Sequence, residues 1–424
     1  MMLRAGFNNS LLKVLGILFL CATGLPVFGQ TAPVFSSASS DASEYNSIYS
    51  FTVITDDTPD NNTIALSITS GALPTGLTFT DNTDGTATIS GTVAQTGIFN
   101  FDITAQETDG ALQSTVQNFT LTINKADPVI TWANPAAITY GTTLSATQLN
   151  AVADVPGTFT YTPASGTLLN AGANQVLSAD FVPTDNTNYN DVLGTTVLLT
   201  VNEAALSITA SNQSKTYGNA FTFTGTEFTS TGLQNSETIG NVTLTSAGSP
   251  ATASVGGGPY TITASNATGG TFNAANYTIS YNTGTMSVGT AALSITASNQ
   301  SKTYGNAFTF TGTEFTSTGL QNSETIGSVS LTSAGSLATA SVGGSPYTIT
   351  ASNATGGTFN AANYTITYNT GSMNVNAAPL SITASNQSKT YGNAFTFTGT
   401  EFTSTGLQNS ETIGSVTLTS TGSP

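Results

Sequence analysis

The sequence has very little of three residue types on which much protein chemistry depends. Its 424 residues contain no histidine, one cysteine and one arginine. Both Cys21 and Arg4 lie within the first 29 residues, so from residue 30 onward none of the three types is present. Such a chain cannot form disulfide bonds, the usual zinc sites, or the Ser-His and Cys-His systems of nucleophilic catalysis. Its stability must come from packed cores.

Positive charge is scarce as well. From residue 30 onward, 22 acidic residues face four lysines, which gives a net charge of −18. The four lysines are Lys125, Lys215, Lys302 and Lys389. A chain of this charge repels the phosphate backbone of nucleic acids and does not attract anionic lipid. We therefore exclude nucleic acid as a partner.

The first 29 residues have the pattern of a secretory signal peptide. Arg4 and Lys13 provide the basic start, the apolar segment 14–25 is too short to span a bilayer, and residues 27–29 have the small-residue spacing of a cleavage site. Lipid attachment at Cys21 is disfavoured because the large Leu20 precedes it. The pattern predicts an exported protein, at the cell surface or extracellular, with no membrane span after cleavage.

A long internal repeat dominates the second half of the chain. The octapeptide SKTYGNAF occurs at 214–221, 301–308 and 388–395, within segments that recur every 87 residues. The complete copies 205–291 and 292–378 differ at nine positions. Such similarity indicates recent duplication, so the copying itself does not show which positions matter.

Apolar residues alternate with threonine and serine through many short runs. The run LSITA places Leu206, Ile208 and Ala210 on one face, and the runs FTFTG, VTLTS, YTITA and NYTISY alternate in the same way. Period-two alternation is typical of half-buried strands, and the glycine-rich breaks between the runs are typical of turns. The pattern predicts an all-β chain.

Three kinds of segment resemble known modules. Residues 31–124, with LPTGLTFTDNTDGTATISGT, resemble the cadherin-like Ig modules of bacterial surface proteins. Residues 125–202, with PVITWANPAAITYGTTL, resemble a bacterial Ig-like repeat, and the segments from 203 onward, with LSITASNQSKTYGNAF, are similar to the bacterial MBG domain of the Tyr-Gly-X type. The resemblance implies tandem Ig-like β-sandwich modules in a linear string, as in exported, repetitive adhesin-like proteins.

These observations predict a signal peptide and five modules. The predicted segments are a signal peptide at 1–29, module 1 (cadherin-like Ig) at 30–124, module 2 (Ig-like) at 125–202, and MBG-like repeats 1, 2 and 3 at 203–290, 291–377 and 378–424. The boundaries between them are short, which favours a semi-rigid string. Repeat 3 stops before the counterparts of the later strands, from which we expect a fragment of a longer protein. The alternative is a natural end that a donor strand completes.

Acidic residues cluster in three loops of module 1. They are Asp56, Asp57 and Asp60 in one loop, Asp81 and Asp84 in a second, and Glu107 with Asp109 in a third. Calcium takes six to eight hard oxygen ligands, and loops at one end of a sandwich can supply them together. The sequence therefore gives a candidate Ca²⁺ site, although its spacing is not that of an EF-hand and acidic turns also serve simply as solvated caps.

The repeated octapeptide supports two interpretations. Its Lys, Ser, Asn and Gly residues suit a structural turn between two strands. Alternatively, Lys215 and Lys302 are candidates for an intramolecular Lys–Asn isopeptide bond, with Asn276 as an example of the acceptor and Glu227 or Glu237 as the proton carrier. That reaction needs burial, which lowers the pKa of a lysine and raises that of a glutamate.

Other functions have weaker support. A glycosidase with paired carboxylates is the enzyme class that survives the lack of histidine, but nothing marks a pair, and Glu227 and Glu237 are duplicated with the repeat. Sugar stacking on Trp132, Tyr140 or Tyr161 competes with a core role for these rings. We therefore predict no enzyme, but a non-catalytic stalk or adhesin region with an extracellular glycan or protein ligand. The alternative is the spacer region of a large secreted enzyme, for example one that degrades polysaccharides.

Overall fold

The computed structural model describes residues 29–110 and 112–424, so the predicted signal peptide lies, except for Gly29, outside the described residues. The chain divides into two compact units. The first extends to Ala136 and includes Leu144–Thr167 and Val176–Leu199; the second comprises Ala137–Thr143, Leu168–Gln175 and Thr200–Pro424. Strands and three-residue 3-10 helices make up the regular structure of the described part, which confirms the all-β class.

Module 1 is a sandwich of two four-stranded sheets. Its strands are β1 (Val34–Phe35), β2 (Ser40–Glu44), β3 (Ile48–Asp56), β4 (Ile64–Ser70), β5 (Leu77–Asp81), β6 (Thr86–Thr92), β7 (Gly97–Glu107) and β8 (Ser114–Asn124). One sheet has the order β1-β3-β6-β5 and the other β2-β8-β7-β4. Strand β2 runs parallel to β8, while the other pairs are antiparallel.

Alternating apolar side chains form the core of module 1. Val53 and Ile89 from one sheet and Ile103 and Leu121 from the other are fully buried. The ring of Phe119 is fully buried as well. Each such side chain removed from water stabilises the fold by about 1.5–3 kcal/mol, which is how a module without disulfides stays folded.

Module 2 has six strands. They are β9 (Ile130–Thr131), β10 (Ile138–Thr139), β11 (Val152–Ala153), β12 (Gly157–Thr162), β13 (Gly172–Pro183) and β14 (Val192–Asn202). Strand β9 pairs antiparallel with β11, and β12 pairs antiparallel with β13, with Gly157 opposite Pro183. In the second compact unit, β10 runs parallel to the end of β14, with Ile138 opposite Val201.

Repeats 1 and 2 share one strand plan. The strands of repeat 1 are β15 (Ala204–Ala210), β16 (Gln213–Thr216), β17 (Phe228–Thr231), β18 (Ile239–Ser246), β19 (Tyr260–Gly270), β20 (Tyr277–Asn282) and β21 (Gly284–Gly289). Those of repeat 2 are β22 (Ala291–Ala297), β23 (Gln300–Thr303), β24 (Phe315–Thr318), β25 (Ile326–Thr332), β26 (Tyr347–Gly357), β27 (Tyr364–Asn369) and β28 (Gly371–Asn376). The described part of repeat 3 has β29 (Ser381–Ala384) and β30 (Phe402–Thr405).

Each complete repeat has a three-stranded and a four-stranded sheet. The orders are β17-β15-β20 with β16-β21-β19-β18 in repeat 1, and β24-β22-β27 with β23-β28-β26-β25 in repeat 2. The first strand of each repeat lies parallel to a late one, with Ala204 opposite Tyr277 and Ala291 opposite Tyr364. Leu206, Ile208 and Ala210 are buried on one face, as the alternation predicts.

The short helices are single turns of 3-10 helix. They span Val255–Gly257, Ala274–Asn276, Ala334–Ser336, Val342–Gly344 and Ala361–Asn363. In the described part of the chain, no helix is long and apolar enough to cross a membrane.

The strand predicted for FTFTG is wrong. Residues 221–225 belong to no strand, although Phe221 and Phe223 are half-buried as the alternation predicts. The backbone N–H of Phe221 donates to the carbonyl of Ser249, and the carbonyl of Gly225 accepts from the N–H of Val242. Side-chain alternation is present here without the paired backbone that defines a strand, because isolated bonds to loops satisfy the main chain.

A glutamate fastens the turn that follows this segment in each repeat. The Glu314 carboxylate accepts hydrogen bonds from the N–H of Thr311 at 2.9 Å, from its hydroxyl at 2.6 Å, and from the N–H of Gly312 at 2.9 Å. Glu227 and Glu401 make equivalent contacts. Burial raises the pKa of Glu314, but the hydrogen bonds from Thr311 and Gly312 outweigh it and lower the pKa from 4.5 to about 2.

This turn makes stability depend on pH. Because the folded pKa of Glu314 is below its ordinary value of 4.5, the stabilisation is complete above pH 4.5 and is lost as the pH falls towards 2. We expect Glu314→Gln to cost about 1–2 kcal/mol at pH 7, the range of a hydrogen bond to a charged group after solvent screening. Urea unfolding of the parent and the variant across this pH range measures the difference, which should shrink towards zero near pH 2. A difference that does not change with pH would contradict this role of the carboxylate.

Candidate functional site

The acidic loops of module 1 lie at one end of its sandwich. The N–H of Thr55 donates to the carbonyl of Gly85 at 3.1 Å, which joins the first loop to the second. The N–H of Thr63 donates to Asp109 at 2.7 Å, which joins the first loop to the third. The structure therefore brings the three predicted loops to the same end of the module, beside an open cleft lined in part by Asp57 and Asn62.

Two of the seven acidic residues are buried. Asp57 is 8% exposed and Glu107 is 0% exposed. One oxygen of each accepts a backbone hydrogen bond, from Asn62 at 2.8 Å and from Gln113 at 3.0 Å. Within the described residues, the other oxygen of each, Oδ1 of Asp57 and Oε1 of Glu107, is buried without a hydrogen-bond partner. Unpaired buried carboxylate oxygen is costly unless a cation or a proton balances it.

The other acidic residues of these loops serve as backbone acceptors. Asp60 accepts from the N–H of Thr31, Asp81 from that of Leu66, Asp84 from that of Thr86 and Asp56 from that of Thr58. The hydrogen bonds from the Thr86 side chain and backbone lower the pKa of Asp84. As placed in residues 29–110 and 112–424, the side chains form no group of three or more Asp, Glu, His or Cys that could hold a metal ion. The calcium site remains a prediction, with Asp57 and Glu107 as the residues that fit it best.

The lysines of the octapeptide bind backbone carbonyls. Lys215 Nζ donates to the carbonyls of Asn219 at 2.9 Å and Pro250 at 2.6 Å. Lys302, which is buried, makes the same contacts with Asn306 at 2.9 Å and Leu337 at 2.5 Å. Burial lowers the pKa of Lys215. Each lysine thus fastens its own turn to a neighbouring loop; the isopeptide bond remains a prediction that intact mass would test through the loss of ammonia.

Two of the aromatic residues considered for sugar stacking pack together. The rings of Trp132 and Tyr161 lie 5.5 Å apart, edge to face. The indole N–H of Trp132 donates to the carbonyl of Gln148, and the Tyr161 hydroxyl accepts from the N–H of Ala151. Their polar groups are therefore engaged within the module.

Tyr140 and the two glutamates of repeat 1 also have structural contacts. Tyr140 is buried, and its hydroxyl donates to Glu237 Oε1 at 2.6 Å. Tyr277 donates to the other oxygen of Glu237. Glu227 holds the turn described above. The sequence interpretation did not connect Tyr140 with Glu237, because the two residues are 97 positions apart and no local pattern links them.

Comparison with protein families identifies two kinds of module. The model of the family "MBG domain (YGX type)" matches residues 206–287 and 293–374, and that of the family "Putative Ig domain" matches residues 32–124. Both matches agree with the resemblances drawn from the sequence. Comparison with curated proteins finds no match to the chain.

The solved structures that match parts of the chain include a hydrolase and two cadherins. An endo-fucoidan hydrolase of glycoside hydrolase family 107 is 19% identical, with a TM-score of 0.20 over 61% of this chain and 44% of that one. Mouse cadherin-23 EC22-24 is 14% identical, with a TM-score of 0.22 over 61% of this chain and 98% of that one. Drosophila N-cadherin EC1-3 is 16% identical, with a TM-score of 0.19 over 41% of this chain and 67% of that one.

The match spans less than half of the hydrolase, and at these TM-scores the likeness carries no argument about function. The family matches describe the chain itself, and neither family is a catalytic type. The protein is therefore a modular chain that carries a domain of the Putative Ig family followed by tandem MBG domains of the YGX type.

Proposed function

We propose that the chain is the non-catalytic stalk or adhesin region of an exported bacterial surface protein. The observation that carries the proposal is the way one near-identical repeat follows another. Strand β21 ends at Gly289 and β22 begins at Ala291, so the single residue Thr290 separates the last strand of repeat 1 from the first of repeat 2. A one-residue connection restricts relative motion far more than a flexible tether does, as suits a spacer that holds a binding surface away from a cell.

Composition supports the same proposal. The lack of cysteine from residue 30 onward leaves a fold that forms without disulfide bonds, and therefore without an oxidising environment. The high net negative charge keeps long repetitive chains soluble and apart. Modules of the Ig-like and MBG kinds are typical of extracellular surface proteins. The ligand we propose is an extracellular glycan or protein.

Removal of one repeat tests whether the modules are arranged end to end, as a stalk requires. Deletion of residues 292–378 keeps the 87-residue register, so repeat 1 then precedes repeat 3 directly. We expect the maximum dimension in small-angle X-ray scattering to fall by about 30 Å, the length of a strand of roughly nine residues, while the circular dichroism per residue stays the same. An unchanged dimension would contradict an end-to-end stalk.

Export is tested on the same chain in a bacterial host. We expect the secreted or surface-exposed product to begin at Gln30, and a variant without residues 2–29 to stay inside the cell. Retention of the intact chain in the cytoplasm would overturn the assignment. Turnover of a polysaccharide by a longer natural chain that contains these modules would favour the spacer of a secreted enzyme instead.

We also propose that module 1 binds calcium through Asp57 and Glu107. Their unpaired buried oxygens support the proposal, because a divalent cation would give these oxygens the partner that no hydrogen bond within the described residues gives them. The acidic loops around them offer further oxygens at the same end of the module. Bound calcium would join the loops to one another and would take no part in a reaction.

The substitution Asp57→Asn should have different effects on Tm in the presence and in the absence of calcium. At a Ca²⁺ concentration of about 100 times the dissociation constant, binding adds about 2.7 kcal/mol, which for a module of this size raises Tm by roughly 10–20 °C. Asp57→Asn should abolish that rise but leave Tm in EDTA unchanged or higher, because it removes an unpaired buried charge. Differential scanning calorimetry measures both, with Asp191→Asn, an exposed acid of module 2, as the control. No rise in the parent would contradict the proposal.

A further inference from the structure

The tyrosine of the repeated octapeptide reaches beyond its own repeat. The Tyr217 hydroxyl of repeat 1 donates to Glu324 Oε1 of repeat 2 at 2.7 Å. Tyr304 of repeat 2 makes the same bond to Glu411 of repeat 3. Tyr140, which precedes repeat 1, binds Glu237 of repeat 1. We call the contact region between one module and the next a junction. Three successive junctions within the second compact unit therefore have the same tyrosine–glutamate hydrogen bond.

The receiving glutamate is held by a second tyrosine of its own repeat. The Tyr364 hydroxyl donates to Glu324 Oε2 and accepts from the backbone N–H of Gln321 at 2.9 Å. Burial and then the bond to Glu324 raise the pKa of Tyr364 to about 12, so the hydroxyl keeps its proton and donates at neutral pH. The rings of Tyr217 and Tyr364 meet edge to face at 5.6 Å. The glutamate is thus held by a tyrosine of its own repeat as well as by the tyrosine of the preceding one.

The glycine after the tyrosine is needed for the same contact. Gly218 has φ +89°, and a Cβ there would lie 2.3 Å from Gln321 Oε1. Gly141, which follows Tyr140, has φ +99°, and its Cβ would lie 2.5 Å from Gln234 Oε1. Both the backbone conformation and the packed glutamine of the next repeat therefore require glycine at this position.

A buried asparagine is part of two of these junctions, and the junction between repeats 1 and 2 also has a shared core. Asn363, 4% exposed, accepts from the N–H of Val255 of the preceding repeat at 2.9 Å. Asn276 accepts from the N–H of Ala171 at the same distance. Tyr217 of repeat 1 belongs to the same buried apolar cluster as Ile295 of repeat 2. The junction therefore has a hydrophobic centre and satisfied polar groups.

The octapeptide of repeat 3 provides an internal comparison. Tyr391 lies in the same eight-residue sequence as Tyr217, and Lys389 fastens its turn through a carbonyl of the neighbouring loop, as Lys215 does. Tyr217 is 4% exposed, whereas Tyr391 is fully exposed. The turn forms in both places, so the turn by itself does not bury the tyrosine.

We propose that the Tyr-Gly pair is a docking element that couples module 2, repeat 1 and repeat 2 each to the repeat that follows, and that Gln, Glu, Asn and Tyr of a complete following repeat form its preformed acceptor. The donor need not be an MBG repeat, because Tyr140-Gly141 of module 2 uses the same acceptor although its surrounding sequence differs. The role is independent of the ligand, so it holds whether the chain is an adhesin or the spacer of an enzyme.

Spin labels can measure the coupling in the chain from Gln30 onward, which has no cysteine of its own. Thr229, Thr316 and Thr403 are exposed and occupy equivalent positions in the three repeats. Cysteines at 229 and 316 report on the Tyr217–Glu324 junction, and cysteines at 316 and 403 report on the Tyr304–Glu411 junction. Pulsed electron double resonance then gives the width of each distance distribution.

We expect Tyr217→Phe to broaden the 229–316 distribution and to leave the 316–403 distribution unchanged. Loss of one hydrogen bond to a charged group should raise the undocked population roughly ten- to a hundredfold. Glu324→Gln should broaden the same distribution, because it removes the charge that Tyr217 and Tyr364 both bind. In the double variant Tyr217→Phe should add little, because its partner is then already neutral. Tyr391→Phe is the matched control and should change neither distribution.

Three results would overturn the proposal. They are an unchanged 229–316 width in both Tyr217→Phe and Glu324→Gln, an equal effect of Tyr391→Phe, and equal broadening of both label pairs by Tyr217→Phe. The last result would mean that the hydroxyl stabilises the fold in general. Because the two primary variants lie in different repeats, misfolding of either one leaves the other to decide.

Discussion

The parallel pairing of the first strand with a late strand of each repeat is the constraint on which the rest of the second compact unit depends. It sets Ala204 opposite Tyr277 and Ala291 opposite Tyr364. Tyr277 and Tyr364, which come late in their repeats, therefore lie beside the first strand, where the chain enters the repeat. The surface that receives the preceding module exists only once this non-local pairing has formed. Docking is thus linked to the completion of the fold, and a repeat that has not closed its sheet presents no complete acceptor.

A chain without disulfides has to gain its stability from apolar burial, and small domains bury a smaller fraction of their surface than large ones do. Neighbouring repeats ease this limit by sharing a core. Tyr217 and Val288 of repeat 1 are buried in the cluster that contains Ile295 of repeat 2. Nearest-neighbour packing of this kind is the usual energetics of repeat proteins, and it agrees with a spacer function.

Local patterns in the sequence predicted much of the fold. Alternation in LSITA correctly placed Leu206 and Ile208 in a core, because side chains of a strand point to opposite faces. The same alternation in FTFTG wrongly predicted a strand, since a pattern of side chains does not show whether a partner strand lies alongside. The acidic loops were found from the sequence, but the burial of Asp57 and Glu107 was not, because burial depends on how loops from different strands pack.

Composition and periodicity alone determined the all-β class, the 87-residue unit and the chemistry that a chain without histidine and cysteine excludes. They also marked Tyr-Gly as repeated, yet duplication copied every neighbour with it and concealed its role. Only the tertiary structure showed that Tyr217 binds Glu324, 107 residues away, and that Tyr140 binds Glu237, 97 residues away. Strand pairing and the order of the modules bring these side chains together, and no local pattern records contacts over such distances.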